Sequence, residues 1–418
     1  MEHPSFFLAR AAFAWAALLA AHSPAAAVEP LSLGAALQSA LAHSRSLDAS
    51  NAAARGAREM AVAAAQRPDP VLRLSLEELA LQGTDRFGLS TTMRSIALMQ
   101  TLPSADKRQA RGARFEREAE AALSERTQRV AALQTEVAQA WLERRLQEQS
   151  LHLLRAQIDE AQLLVQTTDA VLRGGKGSSA DALAAREAQA QLEQALIAAQ
   201  AEVAKARLTL ARFTGGPPEQ PLAGLPTMQH SPLSVEKAAQ LPDLVALQAR
   251  EAVARAEAEL ARQELRPDWS AELMFSQRGS PFPNTVSIGV SVPLQWDRPQ
   301  RQQRELAARL ARVNELQAER EEQTRERALQ VQRWQLAWRA GRDRLAFLDT
   351  QRQPLAQQRV DAALAAYRGG REGLGPVLQA RRDALSLAQE RLTLEHETAG
   401  LWARLDYLFA DTPAGVTP

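Results

Sequence analysis

Two stretches of 69 residues, Ser104–Leu172 and Pro299–Tyr367, are built mainly from Ala, Leu, Gln, Glu and Arg. These residues favour helix, and a helix of that length spans on the order of 100 Å at ~1.5 Å per residue. That is several times the width of an ordinary domain, so no single globular core covers such an element. Pro354 lies inside the second stretch and is predicted to kink it, because proline removes an amide donor and crowds the preceding turn.

Each long helix runs into a glycine turn, and the two turns match. "LRGGKGSSADALAAR" at 172–186 and "YRGGREGLGPVLQAR" at 367–381 share an R-G-G start, a leucine step and an A-R finish at an offset of 195 residues. The tip residues are Arg173, Gly174, Gly175 and Gly177 in the first, and Arg368, Gly369, Gly370 and Gly373 in the second. Glycine supplies positive φ after a helix end, and Ser178, Ser179 or Asp181 can cap the returning helix. The G-K-G-S fragment is not a phosphate loop. That motif needs G-x-x-x-x-G-K-[ST] between a strand and a helix, whereas Gly177 follows Lys176, Ala170 stands at the upstream glycine and helix precedes it.

The duplication extends upstream. "QRPDPVLRLSL" at 66–76 corresponds to "LRPDWSAELMF" at 265–275, and in each a proline forces an exit from helix. Alternating segments follow. Leu72, Leu74 and Leu76 alternate with Arg73, Ser75 and Glu77, while Trp269, Leu273 and Phe275 alternate with Ser270, Glu272 and Ser276. Val286, Ile288, Val290 and Val292 form the cleanest set, a period of two with one wholly apolar face. Its first-half partner, "RSIALMQTLP" at 94–103, is interrupted by Gln100.

The chain therefore divides into a leader, 1–27; a first repeat, 28–213; a linker, 214–241; a second repeat, 242–410; and a tail, 411–418. The first repeat holds strands about 70–79 and 86–102, the long helix 104–172 and a returning helix 178–213. The second holds strands about 268–277 and 284–294, the long helix 299–367 and a returning helix 373–409.

Phe6–Ala21 is apolar apart from Arg10, and Ala25-x-Ala27 suits cleavage before Val28, the pattern of a secretory signal peptide. Nothing later offers an apolar run near 18 residues, so entry into a membrane would have to be as a β-barrel. Four strands are too few to close a barrel with a lumen, and open edges do not persist in lipid. The chain is expected to oligomerise and share one barrel. With no cysteine, disulfides and thiolate metal sites are excluded. The net charge of +1 and the alternating charges along the helices argue against a nucleic-acid partner.

This organisation resembles the TolC family of outer-membrane efflux proteins, over nearly all of the chain after the leader. "LSLGAALQSALAHSRSLDAS" at 31–50 is similar to the family's opening helix, with His43-Ser44-Arg45-Ser46 where N-P is usual. "QTLPSADKRQAR" at 100–111 keeps Lys107, Arg108 and Arg111 of the family's exit from the second strand, and "VPLQWDRPQR" at 292–301 looks like the second-half exit. Length and the D-R exit look most like the CzcC-like cation-efflux branch. The resemblance implies a mainly α fold with a small β part. Long helical hairpins would form a periplasmic tunnel, and four strands would join a shared trimeric 12-stranded outer-membrane β-barrel.

It further implies a passive exit duct, a homotrimer, served by an inner-membrane RND-type pump and a periplasmic membrane-fusion adaptor that meets the R-G-G tips. Metal cations are a candidate cargo. Leu72, Leu74, Leu76, Trp269, Leu273, Phe275, Val286, Ile288, Val290 and Val292 would face outer-membrane lipid. Relatives often carry acids just past the second tip. Here Pro376 and Gln379 stand there, which leaves Asp181 of the first tip as the entrance-gate candidate, with helix capping as its alternative. No catalytic constellation, cofactor site or metal site is expected. The histidines lie at 3, 22, 43, 152, 230 and 396, none spaced to pair on a helix, and Met228 with His230 is too few ligands for a metal. The competing reading is a periplasmic coiled-coil adaptor or scaffold without a barrel. An adaptor should flank one hairpin with a lipoyl-like domain, and this chain has two equivalent hairpins.

Overall fold

The computed structural model describes residues 29–79, 81–83, 92–175, 177–228, 240–279 and 282–409. The expected leader and tail lie outside them, as do His230 and parts of the linker and of both strand-to-strand loops. The elements are α1 (Leu33–His43), α2 (Arg45–Ala65), β1 (Val71–Glu77), β2 (Met93–Leu102), α3 (Ala105–Arg173), α4 (Ser179–Thr214), α5 (Pro242–Gln263), β3 (Trp269–Gln277), β4 (Thr285–Ser291), α6 (Gln302–Phe347), α7 (Gln353–Arg368) and α8 (Gly375–Asp406). The fold is mainly helical with one antiparallel sheet of order β1-β2-β3-β4.

The chain forms two compact units, 1–43 with 137–228 and 350–396, and 44–136 with 229–349 and 397–418. In the first unit, residues 29–32 lie beside 220–223. Leu31 N–H donates to the Pro221 carbonyl at 2.7 Å, and Ala223 N–H donates back to the Leu31 carbonyl at 3.1 Å. The fully buried Trp141 indole N–H joins that carbonyl at 3.0 Å. Arg144, also buried, donates to the Gln220 carbonyl and pairs with Glu148 at 3.0 Å. α4 ends at Thr214, where Gly215 has φ +67°; a Cβ there would meet the His43 ring at 2.8 Å.

In the second unit, small residues let helices approach closely. A Cβ at Gly112 of α3 would meet the Ala61 carbonyl and Ala65 of α2 at 3.2 Å, and one at Gly341 of α6 would overlap the Thr398 side chain of α8. Buried Glu251 of α5 binds Arg255 of its own helix and Arg320 of α6. Burying a carboxylate without such partners would be strongly destabilising.

Three details differ from expectation. β4 stops at Ser291, so Val292 lies past the strand end; Pro293 cannot donate to a ladder. α6 begins at Gln302 rather than at 299, and residues 296–301 form turns instead, in which the Asp297 carbonyl accepts from Gln300 and Arg301 N–H at 3.2 and 3.1 Å. The disturbance at Pro354 takes the form of a π turn, Leu348–Arg352, and α7 restarts with the proline in its first turn. Widening one turn removes the need for the amide that proline lacks.

Candidate functional site

The sheet is the first candidate site. Its register puts Leu74, Ile96, Phe275 and Val286 in one cross-strand row and Leu72, Leu98, Leu273 and Ile288 in the next. Val290 lies opposite Ala271, Trp269 opposite Leu102, and Leu76 opposite Arg94. The large apolar members of this face are exposed, up to 81% at Ile288. The other face carries Ser75, Ser95, Ser276 and Thr285 in one row and Arg73, Ala97, Met274 and Ser287 in the next. There Ser95, Ala97 and Ser276 are buried, and the Ser75 and Ser95 hydroxyls are 2.6 Å apart. The sheet is thus inverted relative to a water-soluble one, with small and hydroxyl side chains where its central strands β2 and β3 are buried and aliphatic chains on the exposed face.

Ile96, Leu98 and Leu102 of β2 belong to the same apolar face, although sequence reasoning named no β2 residue for it. Gln100 concealed them by breaking the alternation. Its side-chain amide donates to the Pro68 and Thr101 carbonyls at 2.7 and 2.9 Å, which satisfies it at the end of the strand. β1 and β4 are both edge strands.

The hairpin tips are the second candidate site. Gly370 has φ +66°, its N–H donates to the Tyr367 carbonyl, and Arg371 N–H donates to the Ala366 carbonyl, both at 3.0 Å. This pair of bonds with a left-handed residue between helix and loop is a Schellman C-cap. Gly175 (φ +74°) makes the matching bond to the Leu172 carbonyl at 3.0 Å. A Cβ at Gly177 would stand 2.9 Å from Leu172 N, so the first turn also needs glycine for clearance. Gly373 has open space around it, and Gly174 and Gly369 close the last helical turns onto Ala170 and Ala365. Arg173 and Arg368 are exposed at their helix ends, where the helix dipole favours cations.

The cap of α4 is Ser178, whose hydroxyl accepts from Ala180 N–H at 3.1 Å. Asp181 sits three residues on, in the first turn, near enough to Tyr367 of the other hairpin for its charge to act on that phenol. Burial, and secondarily the Asp181 charge, raise the Tyr367 phenol above its ordinary value of 10.0. Tyr367 packs with Leu364 and Ala363 against Leu164, Ala185, Leu374 and Val377, so the two tips share one apolar cluster. The matched arginines of the two tips have diverged. Arg186 holds Asp169 of its own hairpin with two bonds of 3.0 Å, whereas Arg381 reaches Glu160 of the other hairpin at 3.2 Å.

Among the described residues, no group of three His, Asp or Glu side chains converges to hold a metal ion. No helix among them is long and apolar enough to cross a membrane.

Long helices and one antiparallel sheet with its apolar face exposed define the fold class of this chain. The profile of the Outer membrane efflux protein family matches residues 36–216 and 233–409. The chain belongs to that family, a family of transport conduits, and its place is the outer membrane, with the helices extending into the periplasm. No curated protein sequence matches it. Among solved structures it is similar to the outer-membrane channel OprN, with TM-score 0.75, 19% identity and coverage of 91% of this chain and 90% of that one. It is similar to CusC, with TM-score 0.77, 18% identity and coverage of 90% and 92%. It is also similar to VceC from Vibrio cholerae, with TM-score 0.74, 19% identity and coverage of 90% and 96%. At such identities the likeness speaks for the fold.

Proposed function

We propose that this protein is the outer-membrane exit duct of a tripartite efflux system. Three copies pair β4 of one with β1 of the next and close a barrel of twelve strands. The observation that carries this reading is the exposed apolar face of a sheet whose two edges are both unpaired. Lipid suits such a face, and closure is the only arrangement that leaves no edge in lipid. The rows through Ile96 and Leu98 extend the lipid-facing set to β2, and the serine row lines a polar lumen.

An inner-membrane RND-type pump supplies the energy, and a periplasmic adaptor docks at the Gly175 and Gly370 turns. Cargo then diffuses through the duct, which binds it only weakly, as conduction requires. Asp181, repeated three times, forms an acidic feature of the periplasmic entrance. We assign the chain to the CzcC-like branch on its length and its Asp297-Arg298 exit, with metal cations as cargo. The test has two parts. Outer-membrane fractions should contain a heat-resistant trimer, and a deletion strain should become sensitive to metals more than to dyes or antibiotics. A protein recovered only from the soluble periplasm would overturn the duct, and sensitivity confined to organic compounds would overturn the cation assignment.

A further inference from the structure

The two halves of the chain meet at a reciprocal pair of ion bridges. Arg266-Pro267-Asp268 leads into β3, and Asp106-Lys107 leads out of β2, the strand beside it. Lys107 is buried and its ammonium lies 2.7 Å from Asp268, while Arg266 reaches Asp106 at 3.1 Å. Lys107 also donates to the Arg266 carbonyl at 2.9 Å, so the Lys107–Asp268 bridge is built into the junction, while the Arg266–Asp106 bridge lies on its solvent-exposed side.

Each half carries both parts of this junction. Arg67-Pro68-Asp69 leads into β1 as Arg266-Pro267-Asp268 leads into β3, and Asp297-Arg298 follows β4 as Asp106-Lys107 follows β2. Within one chain the second set cannot meet, because β1 and β4 are opposite edges of the sheet. Arg67, Asp69, Asp297 and Arg298 are all exposed, and among the described residues their side chains make no hydrogen bond or ion pair. The second exit is two residues longer after the strand, and a tight turn, Trp296 N–H to the Leu294 carbonyl at 3.1 Å, shortens that path.

We propose that these four residues form the subunit junction of the assembly, Asp69 pairing with Arg298 and Arg67 with Asp297 of a second copy of this chain. The pairing repeats between copies the crossed bridges that join the two halves within a copy. It rests on the trimeric barrel proposed above and identifies the contact that sets which edge meets which at the periplasmic rim. The exchanged bridges also specify direction, since a β1 edge meeting another β1 edge would oppose Arg67 to Arg67 and Asp69 to Asp69.

The chain has no cysteine, so the paired substitution Asp69→Cys with Arg298→Cys gives a clean cross-linking test in the full-length membrane protein. Oxidation is expected to yield dimer and trimer bands on a denaturing gel that collapse to monomer on reduction. A parent protein that runs as a trimer before denaturation, with the cysteine pair giving monomer only, would overturn the junction and leave the trimer standing. A parent protein that forms no trimer would remove both. Charge exchange gives the second readout. Asp69→Arg and Arg298→Asp should each lower the temperature at which the trimer dissociates, and the two together should restore most of the loss. Additive losses would overturn the pairing.

Discussion

The indole N–H of Trp141 donates to the carbonyl of Leu31 across 110 positions of sequence, and both residues are buried. The bond pins the first described residues of the chain to α3, beside the segment that follows α4. Replacing Trp141 with Phe removes the donor but keeps most of the ring volume. The expected loss is about 1–2 kcal/mol, the usual cost of breaking one buried hydrogen bond. Chemical denaturation of the purified protein in detergent measures it, and an unchanged midpoint would show that the strap is held by its backbone bonds alone.

Ile288 and Ser287 are neighbours on β4 with opposite faces. Ile288→Arg should cost about 2–4 kcal/mol if Ile288 sits near the bilayer midplane, whereas Ser287→Arg should assemble normally if the proposed barrel turns that face to its lumen. Trimer yield in the outer membrane compares the two. Equal tolerance would be fatal to the proposed orientation of the sheet.

Gly175 and Gly370 hold left-handed backbone, which costs an ordinary residue about 1–2 kcal/mol and a β-branched one more. Gly175→Val and Gly370→Val should leave trimers in the membrane while export is lost, because the strain is confined to the turns. Gly373→Ala, in open space, should retain export. Mutants that fail to assemble at all would make the turns structural rather than docking elements.

Tyr367 gives a pH signature. Tyr367 and Tyr407 are the only tyrosines, so a Tyr407→Phe background isolates one phenol. It should titrate above 10.0, and Asp181→Asn should lower that value only part of the way, because burial is the larger cause and the Asp181 charge the smaller. The sign follows from the neutral form being favoured in the folded protein. The stabilisation is complete below the unfolded value of 10.0 and is lost as pH rises through the folded value. Absorbance at the phenolate band reads it directly. In channel recordings the same substitution should reduce cation preference if Asp181 forms an entrance ring; unaltered selectivity would remove that role.

The architecture was legible because its signals are long and periodic. Sixty-nine residues of helix formers cannot be hidden, and the alternation of Val286, Ile288 and Val290 has no competing interpretation. β2 was less legible because a single polar residue, Gln100, stands on its apolar face, and its explanation, an amide bonded to Pro68, is tertiary. The π turn before Pro354 was visible only as a disturbance, since sequence shows where proline breaks a helix but not how the chain absorbs it. The partner of Lys107 was not legible at all. Its carboxylate is 161 residues away, and only the strand order brings β2 and β3 together.

The inverted sheet also bears on the order in which this molecule is made. The burial that ordinarily drives strands together is absent for the face carrying Leu74, Ile288 and their neighbours while a chain stands alone in water. The helices close their own backbone hydrogen bonds and bury part of their alanine and leucine within the chain, so they depend less on neighbours, although Leu163, Ile197 and Leu336 stay exposed. Folding is therefore expected to run in sequence, helices early and strands last. A newly exported chain would cross the periplasm with one sticky flank, vulnerable to proteases and to its own kind until membrane and neighbours arrive together.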